Sequence, residues 1–209
     1  MEKLFSVIMP VTLSEYEGSS SNRAEKFKRA VKSFLGNIFP AAQAELIIVS
    51  DGCDESEQIY LQKFQKSNVK FFKMEKQPLF SGNVRQHGID NAEGKYILYL
   101  DSDDVLGEMH LDTVRKALIS AKEPAWTYFD DYIVKSFSSI SLKSVSLKHG
   151  SVGTSSICHK RELNVSWVGC DGYGHDWTFI QKLMAINRMP IKSPTPYYFI
   201  HHIPSLVDC

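Results

Sequence analysis

Tyr96-Ile97-Leu98-Tyr99-Leu100-Asp101-Ser102-Asp103-Asp104 is the stretch that decides the fold. Its first residues are bulky and apolar with no polar alternation, the pattern of a strand covered on both faces, so the polar residues emerge together where that strand ends. Carboxylates at i and i+2 of an extended segment point to the same side. Oxygen ligands of this kind hold Mg²⁺ or Mn²⁺ and leave coordination positions for a diphosphate. An Asp-x-Asp standing alone serves as readily as a turn or a helix cap, because Asp and Ser are common at both. Its surroundings must decide.

Upstream, Leu4 to Met9 reads as a first strand, ended by Pro10 through the loss of a ladder donor, with Pro10-Val11-Thr12 as the loop beyond it. After a polar, Ser-rich link, Asn22 is placed to cap a helix in which Ala24, Phe27, Ala30, Val31, Phe34 and Leu35 recur at helical spacing, and Gly36-Asn37 stops it. Leu46-Ile47-Ile48-Val49 is a second buried-strand run and delivers Ser50-Asp51-Gly52 at its end. Ile59, Tyr60 and Phe64 predict a helix, Val69 to Lys73 a strand, and Ser81 the cap of a helix carrying Val84, Arg85, Gly88 and Ile89. Repeated strand–helix alternation predicts a mostly parallel sheet with helices on both faces. Ligands of such sheets bind beyond the carboxyl ends of the strands, where Thr12, Asp51 and Asp101 to Asp104 fall.

The second half is less regular. Leu111, Val114 and Leu118 predict a helix, Trp126 to Val134 a strand, and Ser136 to Ser151 is Ser/Lys-rich and reads as either loop or exposed hairpin. Gly169 to Gly174 leads into a helix beginning near Asp176, and a last strand, Tyr197 to Ile200, runs to His201-His202. The Gly-rich stretches Gly150 to Gly153 and Gly169 to Gly174 lack the context of a dinucleotide or P-loop fingerprint.

A length of 209 residues suits one sizeable core, expected as a single domain over 1–209 with a nucleotide-binding half to about 104 and an acceptor-side half after it. The 24 basic residues balance 24 acidic ones, which speaks against a nucleic-acid arm or a polybasic membrane patch. The start of the chain does not resemble a signal peptide, and no apolar run reaches the ~20 residues of a membrane span. Cys53, Cys158, Cys170 and Cys209 have no zinc-like spacing and fit a reducing compartment. The expectation is a cytoplasmic protein without a transmembrane segment, with peripheral membrane association left open and the oligomeric state not readable.

Val7-Ile8-Met9-Pro10, Ile48 to Gly52, Arg85 to Ile89 with Ala92 to Ile97 running into Leu100 to Asp104, and Gly174-His175-Asp176-Trp177 resemble the successive motifs of the family 2 glycosyltransferases, over about residues 4 to 205. The resemblance implies a GT-A fold, a mostly parallel Rossmann-like sheet flanked by helices with a small antiparallel acceptor-side part. It also implies transfer of a sugar from a nucleoside diphosphate to a hydroxyl of a glycan or other acceptor, with Mn²⁺ or Mg²⁺. A carboxylate at Asp51 accepts from the imide N–H of uracil or the N1–H of guanine, whereas adenine and cytosine offer no such ring donor. UDP-, dTDP- or GDP-sugars are therefore expected, UDP first. Pro10, Val11 and Thr12 would complete the base site; Asp101 with Ser102 would face the nucleoside. Asp103 is expected to be the direct metal ligand, His202 to contact the metal or diphosphate late in the site's assembly, and Arg85 to reach the diphosphate.

Asp176 is the expected general base of an inverting transfer. The family usually carries Glu-Asp here, and this chain has His175-Asp176. His175, Trp177 and Tyr173 are acceptor-side candidates, the aromatic pair as a sugar-stacking platform. Two other readings stand beside this one. A nucleotidyltransferase would carry a Gly-rich loop with a basic residue after the first strand, which Pro10-Val11-Thr12-Leu13 lacks. A degenerate nucleotide-sugar or carbohydrate binding module is the non-enzymatic alternative.

Overall fold

The computed structural model describes residues 2–136, 139–187, 189–193 and 197–201. In chain order the elements are β1 (Phe5–Val11), α1 (Arg23–Leu35), β2 (Ala44–Asp51), α2 (Asp54–Lys63), β3 (Val69–Met74), α3 (Gly82–Asp90), β4 (Tyr96–Tyr99), β5 (Val105–Leu106), α4 (His110–Ser120), β6 (Trp126–Phe129), β7 (Asp131–Ser136), β8 (Ser139–Lys143), β9 (Ile157–Lys160), α5 (His175–Ile186), β10 (Ile191–Ser193) and β11 (Tyr198–Ile200).

β1 lacks polar alternation because it lies inside the sheet, parallel to β2 on one side and β4 on the other. The seven-stranded sheet has the order β10-β6-β9-β4-β1-β2-β3. β1 to β4 are mutually parallel where they pair, and β9 is antiparallel to both its neighbours. Alternate residues of β1 and β2 supply two cores. Phe5, Val7, Met9, Leu46 and Ile48 pack with Phe27, Ala30 and Val31 of α1 and Leu111, Val114 and Leu118 of α4. Ile8, Ile47 and Val49 face the other way, toward Val84 of α3 and Phe179, Ile180 and Leu183 of α5. α3 comes close enough that a Cβ on Gly88 would lie 2.5 Å from Ile8 Cγ2.

Pro10 does not end β1. It pairs with Val49, and β1 continues to Val11. The ladder to β4 stops at Ile8, whose carbonyl accepts from Leu100 N, so the missing Pro10 donor falls where pairing with β4 has already ended. Asn22 sits at the start of α1 in a left-handed conformation, φ 52°, and its side chain makes no cap bond. Ser81 does cap α3, accepting from Asn83 N at 3.3 Å.

The expected strand from Trp126 to Val134 is two strands in two sheets. Asp130, at the break, accepts from Val145 N at 2.7 Å and pairs with Lys192 at 2.6 Å. β7 and β8 form the hairpin left open between Ser136 and Ser151, and with β5 and β11 they make a four-stranded sheet in the order β5-β11-β7-β8. This smaller sheet is mixed rather than antiparallel, because β11 runs parallel to β7. β11 also pairs with β5, next to the Asp-rich loop. Among the described residues no helix is long and apolar enough to cross a membrane.

Candidate functional site

The carboxyl ends of β1, β2 and β4 open into one cleft of about 260 Å³. Pro10, Val11, Thr12, Asp51, Arg85, Asp101, Ser102, Asp103, His175 and Asp176 all line it, so the expected nucleotide, metal and base residues are brought together. His202 falls outside the described residues. Tyr173 and Trp177 are absent from this cleft and line a second cavity of about 290 Å³. Phe80, His175 and Asp176 belong to both, forming the partition between them.

At the carboxyl end of β2, Asp51 is held by two contacts. Gln77 N donates to Oδ1 and Lys76 Nζ to Oδ2, each at 2.6 Å. Each oxygen keeps a second lone pair for a ligand donor. Arg23 anchors the β1–α1 loop by donating from Nε to Thr12 O at 3.1 Å, and its guanidinium lies over the Tyr16 ring at 4.9 Å.

In the Asp-rich turn the carboxylates have separate partners. Asp103 Oδ2 accepts from Ser20 Oγ at 3.0 Å, and its carbonyl accepts from Arg29 at 2.8 Å. Asp101 Oδ1 pairs with Arg85 at 3.0 Å. Burial raises the Asp101 pKa from its ordinary value, and the Asp176 and Asp103 charges add to this against the opposing Arg85. Asp104 does not cap α4, whose side-chain cap bond is absent. It is buried, accepting from Tyr198 Oη at 2.9 Å and His201 N at 2.7 Å, while Tyr198 Oη itself accepts from Asp101 N at 3.0 Å. Burial and the neighbouring Asp103 and Asp101 hold Asp104 well above the ordinary carboxylate range. β11 is thereby bolted to the Asp-rich loop.

Arg85 projects from α3 into the cleft floor with 8% of its surface exposed, its guanidinium 5.2 Å over the Trp167 ring. Burial works against its charge, and Asp101 and Asp176 more than offset this, keeping it cationic. Its second amino group lies 3.2 Å from His175 Nε2. His175 Nδ1 is 3.1 Å from Gly172 O, an acceptor, so that nitrogen carries a proton. Nε2 is also 2.9 Å from Asp176 Oδ1. That approach is off the line of a hydrogen bond, leaving Oδ1 without a hydrogen-bond partner. Burial pushes the Asp176 pKa up, while His175 and the Arg85 charge outweigh it and leave the carboxyl below its ordinary value, ionised at neutral pH. Phe80 stacks on the His175 ring at 5.6 Å and 15°.

Sequence reasoning did not find Tyr16, Arg23, Lys76 or Phe80. Arg23, directly after the Asn22 position that begins α1, was the available signal; Lys76 and Phe80 lie in the β3–α3 loop, whose path follows from tertiary contacts. Phe80 has a φ of 58°, unusual for an aromatic residue, and carries its ring to the partition.

The fold matches solved structures. Residues 1–349 of Staphylococcus aureus TarS, crystallised with UDP-GlcNAc, superpose with a TM-score of 0.72 at 20% identity over 94% of this chain and 58% of that one. The mannosyltransferase PcManGT of Pyrobaculum calidifontis, in complex with GDP-Man and Mn²⁺, gives 0.65 at 13% identity over 98% of this chain and 58% of that one. These likenesses establish the GT-A fold. In sequence, the poly(ribitol-phosphate) beta-N-acetylglucosaminyltransferase TarP of S. aureus strain N315 is 33% identical over 114 residues, 53% of this chain and 31% of TarP. The chain thus spans under a third of that relative. The model of glycosyl transferase family 2 matches residues 19–125, just over half of the sequence, from before α1 through the Asp-rich turn to the start of β6, and the chain belongs to that family.

Proposed function

We propose that the chain is a metal-dependent, inverting glycosyltransferase that moves a sugar from a nucleoside diphosphate, UDP first, to a hydroxyl acceptor. The observation that carries this reading is that Asp176 lines both cavities, one with the nucleotide motifs and one without them. A base for direct displacement needs that position, in reach of an acceptor on one side with the donor on the other. The acceptor oxygen attacks the anomeric carbon from the face opposite the diphosphate. The new carbon–oxygen bond forms as the bond to the diphosphate oxygen breaks; the electron pair leaves on the diphosphate, and the acceptor proton passes to Asp176. The ionised state of Asp176 is the one this requires.

Asp51 would accept the ring N–H of uracil, and cationic Arg85 at the cleft floor would face the leaving diphosphate. The donor set at the Asp-rich turn fits a hard cation. Among the described residues no three His, Cys, Asp or Glu side chains converge into a cage. Mg²⁺ or Mn²⁺ held by one or two carboxylates, with phosphate oxygens and water completing the shell, needs no such cage. Asp103, beside Asp101 in the cleft, is the residue to hold it, with His202 as a further ligand. When bound, the ion would supply countercharge to the departing diphosphate.

TarS is solved with UDP-GlcNAc, and TarP is named for transfer to poly(ribitol-phosphate), so these are the first donor and acceptor to assay. The test is a donor screen with Mn²⁺ and Mg²⁺, paired with calorimetry of UDP, GDP, dTDP and ADP. Metal-dependent binding of UDP in preference to ADP is expected, lost in Asp103→Ala. Asp176→Asn is expected to keep UDP binding and lose transfer by more than about a hundredfold. Metal-independent binding of ADP, or an active Asp176→Asn, would refute the assignment.

A further inference from the structure

The cavity beyond Asp176 differs from the donor cleft in charge. The cleft holds Asp51, Asp101 and Asp103 besides the base, whereas Asp176 is the only carboxylate lining the second cavity. Among the described residues that cavity carries Lys143 of β8, His149 and His175, the rings of Trp177 and Tyr173, and no Asn or Gln. Sites for neutral sugars draw on carboxylates and amides, which match hydroxyls as both donors and acceptors. Apart from the base Asp176, the described lining offers the basic side chains of Lys143, His149 and His175 and no amide, a balance that matches an anion.

Lys143 is positioned rather than loose. Its side chain is 28% exposed, and Nζ stands 3.8 Å from Asp131 Oδ2, on a carboxylate with no exposed surface. Ser155 and Ser156 hydroxyls donate to that same oxygen, at 3.1 and 2.5 Å. At 3.8 Å the ammonium is attracted without being hydrogen-bonded, so its donors remain for a ligand. One residue earlier in the same turn, Thr154 N donates to Asp176 Oδ2 at 3.4 Å. A single short turn therefore sets Asp131, and through it Lys143, in register with the base. His149 lies against the start of α5, where a Cβ on Gly174 would come within 3.3 Å of its Nε2, and its ring is edge-on to Trp177 at 6.3 Å.

We propose that the second cavity is the acceptor subsite and selects a polyol carrying its reactive hydroxyl beside a phosphodiester, with Lys143 and His149 receiving the anion and Trp177 and Tyr173 the carbon chain. This rests on the transferase reading and adds the acceptor's chemical class and the residue that selects it.

The test is calorimetry on the whole chain, saturated with UDP and Mn²⁺, using a ribitol phosphate trimer, free ribitol, and phosphatidylcholine vesicles carrying phosphatidic acid. The trimer is expected to bind at least about tenfold more tightly than ribitol, as a charge-assisted contact supports. Lys143→Met should cut trimer affinity about tenfold; Lys143→Arg should restore most of it, and the remote surface variant Lys66→Met should match the parent. Equal binding of trimer and ribitol, or an unaffected Lys143→Met, would overturn the proposal. Vesicles bound in preference to the trimer would overturn the polyol chain as the source of the phosphate. UDP titrated into every variant shows whether the fold and donor site survive. Loss of UDP binding in the parent sinks the transferase reading, while UDP binding without phosphate preference sinks this inference alone.

Discussion

Replacing Asp131 with Asn isolates one buried charge. The Asp131 carboxylate has no exposed surface, Oδ1 has no hydrogen-bond partner, and Oδ2 takes the Ser155 and Ser156 hydroxyls. Burial raises its pKa to about 6, with Ser156 and Lys143 pulling the other way. In the unfolded chain the same group titrates at about 4, so between these values the folded state binds the extra proton. Stability from this group is therefore complete below about pH 4 and is lost as the pH rises through about 6. A shift of about two units corresponds to about 3 kcal/mol, of which about 2 kcal/mol falls between roughly pH 4.5 and 7.5. Asn cannot ionise, and urea unfolding of the two proteins across that range reads the difference directly. Asp131→Asn should gain about 2 kcal/mol on the parent as the pH rises across it. A stability difference constant with pH to within about 0.5 kcal/mol would refute both the buried ionisation and the origin assigned to it.

Tyr198→Phe removes the hydroxyl that bonds both Asp104 Oδ2 and Asp101 N. Orphaning the buried Asp104 carboxylate and the part-buried Asp101 N–H costs about 2–4 kcal/mol, a fall in melting temperature of roughly 5–15 °C by calorimetry; a change under about 1 °C would mean the bolt between β11 and the Asp-rich loop is not structural. Gly88→Ala would place a Cβ 2.5 Å from Ile8 Cγ2 and 3.3 Å from Val49 Cγ2. Since both contacts are β-branched side chains of buried strands, it should lower the urea midpoint by the equivalent of about 1–3 kcal/mol, and an unchanged midpoint would show that α3 can shift freely on the sheet.

β1, β2 and β4 were legible because each carries a continuous apolar run, and interior strands of a parallel sheet need no polar face, whereas β3 lies at the sheet edge and carries Lys70 and Lys73. The same logic placed Asp51 and Asp101 to Asp104 at strand ends, hence in one cleft. The second half defeats it. β6 and β7 read as one strand because aromatic and β-branched residues flank Asp130-Asp131 on both sides, and the role of Asp130 is fixed by Val145 and Lys192, distant in sequence. β5 and β10 are too short to show periodicity and exist through pairing with β11 and β6. Pro10 misled for the opposite reason: a local rule about a missing donor gave way because the neighbouring ladder had already ended. Asp104, legible in sequence only as part of the Asp-rich run, is a buried acceptor for β11, a partner 94 residues away.

The departure at His175 takes its meaning from the same contacts. With the usual Glu there, a second carboxylate would stand beside Asp176 and Asp101 and compete for the single guanidinium of Arg85. An imidazole alters that balance. Its Nδ1 donates to Gly172 O, its Nε2 stands between Arg85 and Asp176 Oδ1, and the arginine charge is shared with Asp101 and felt by Asp176. Phe80 stacked on one side and Gly172 at Nδ1 restrict the ring. His175 is thus placed to hold the proposed base, and it lines the second cavity together with Lys143 and His149, the basic groups of the proposed acceptor subsite.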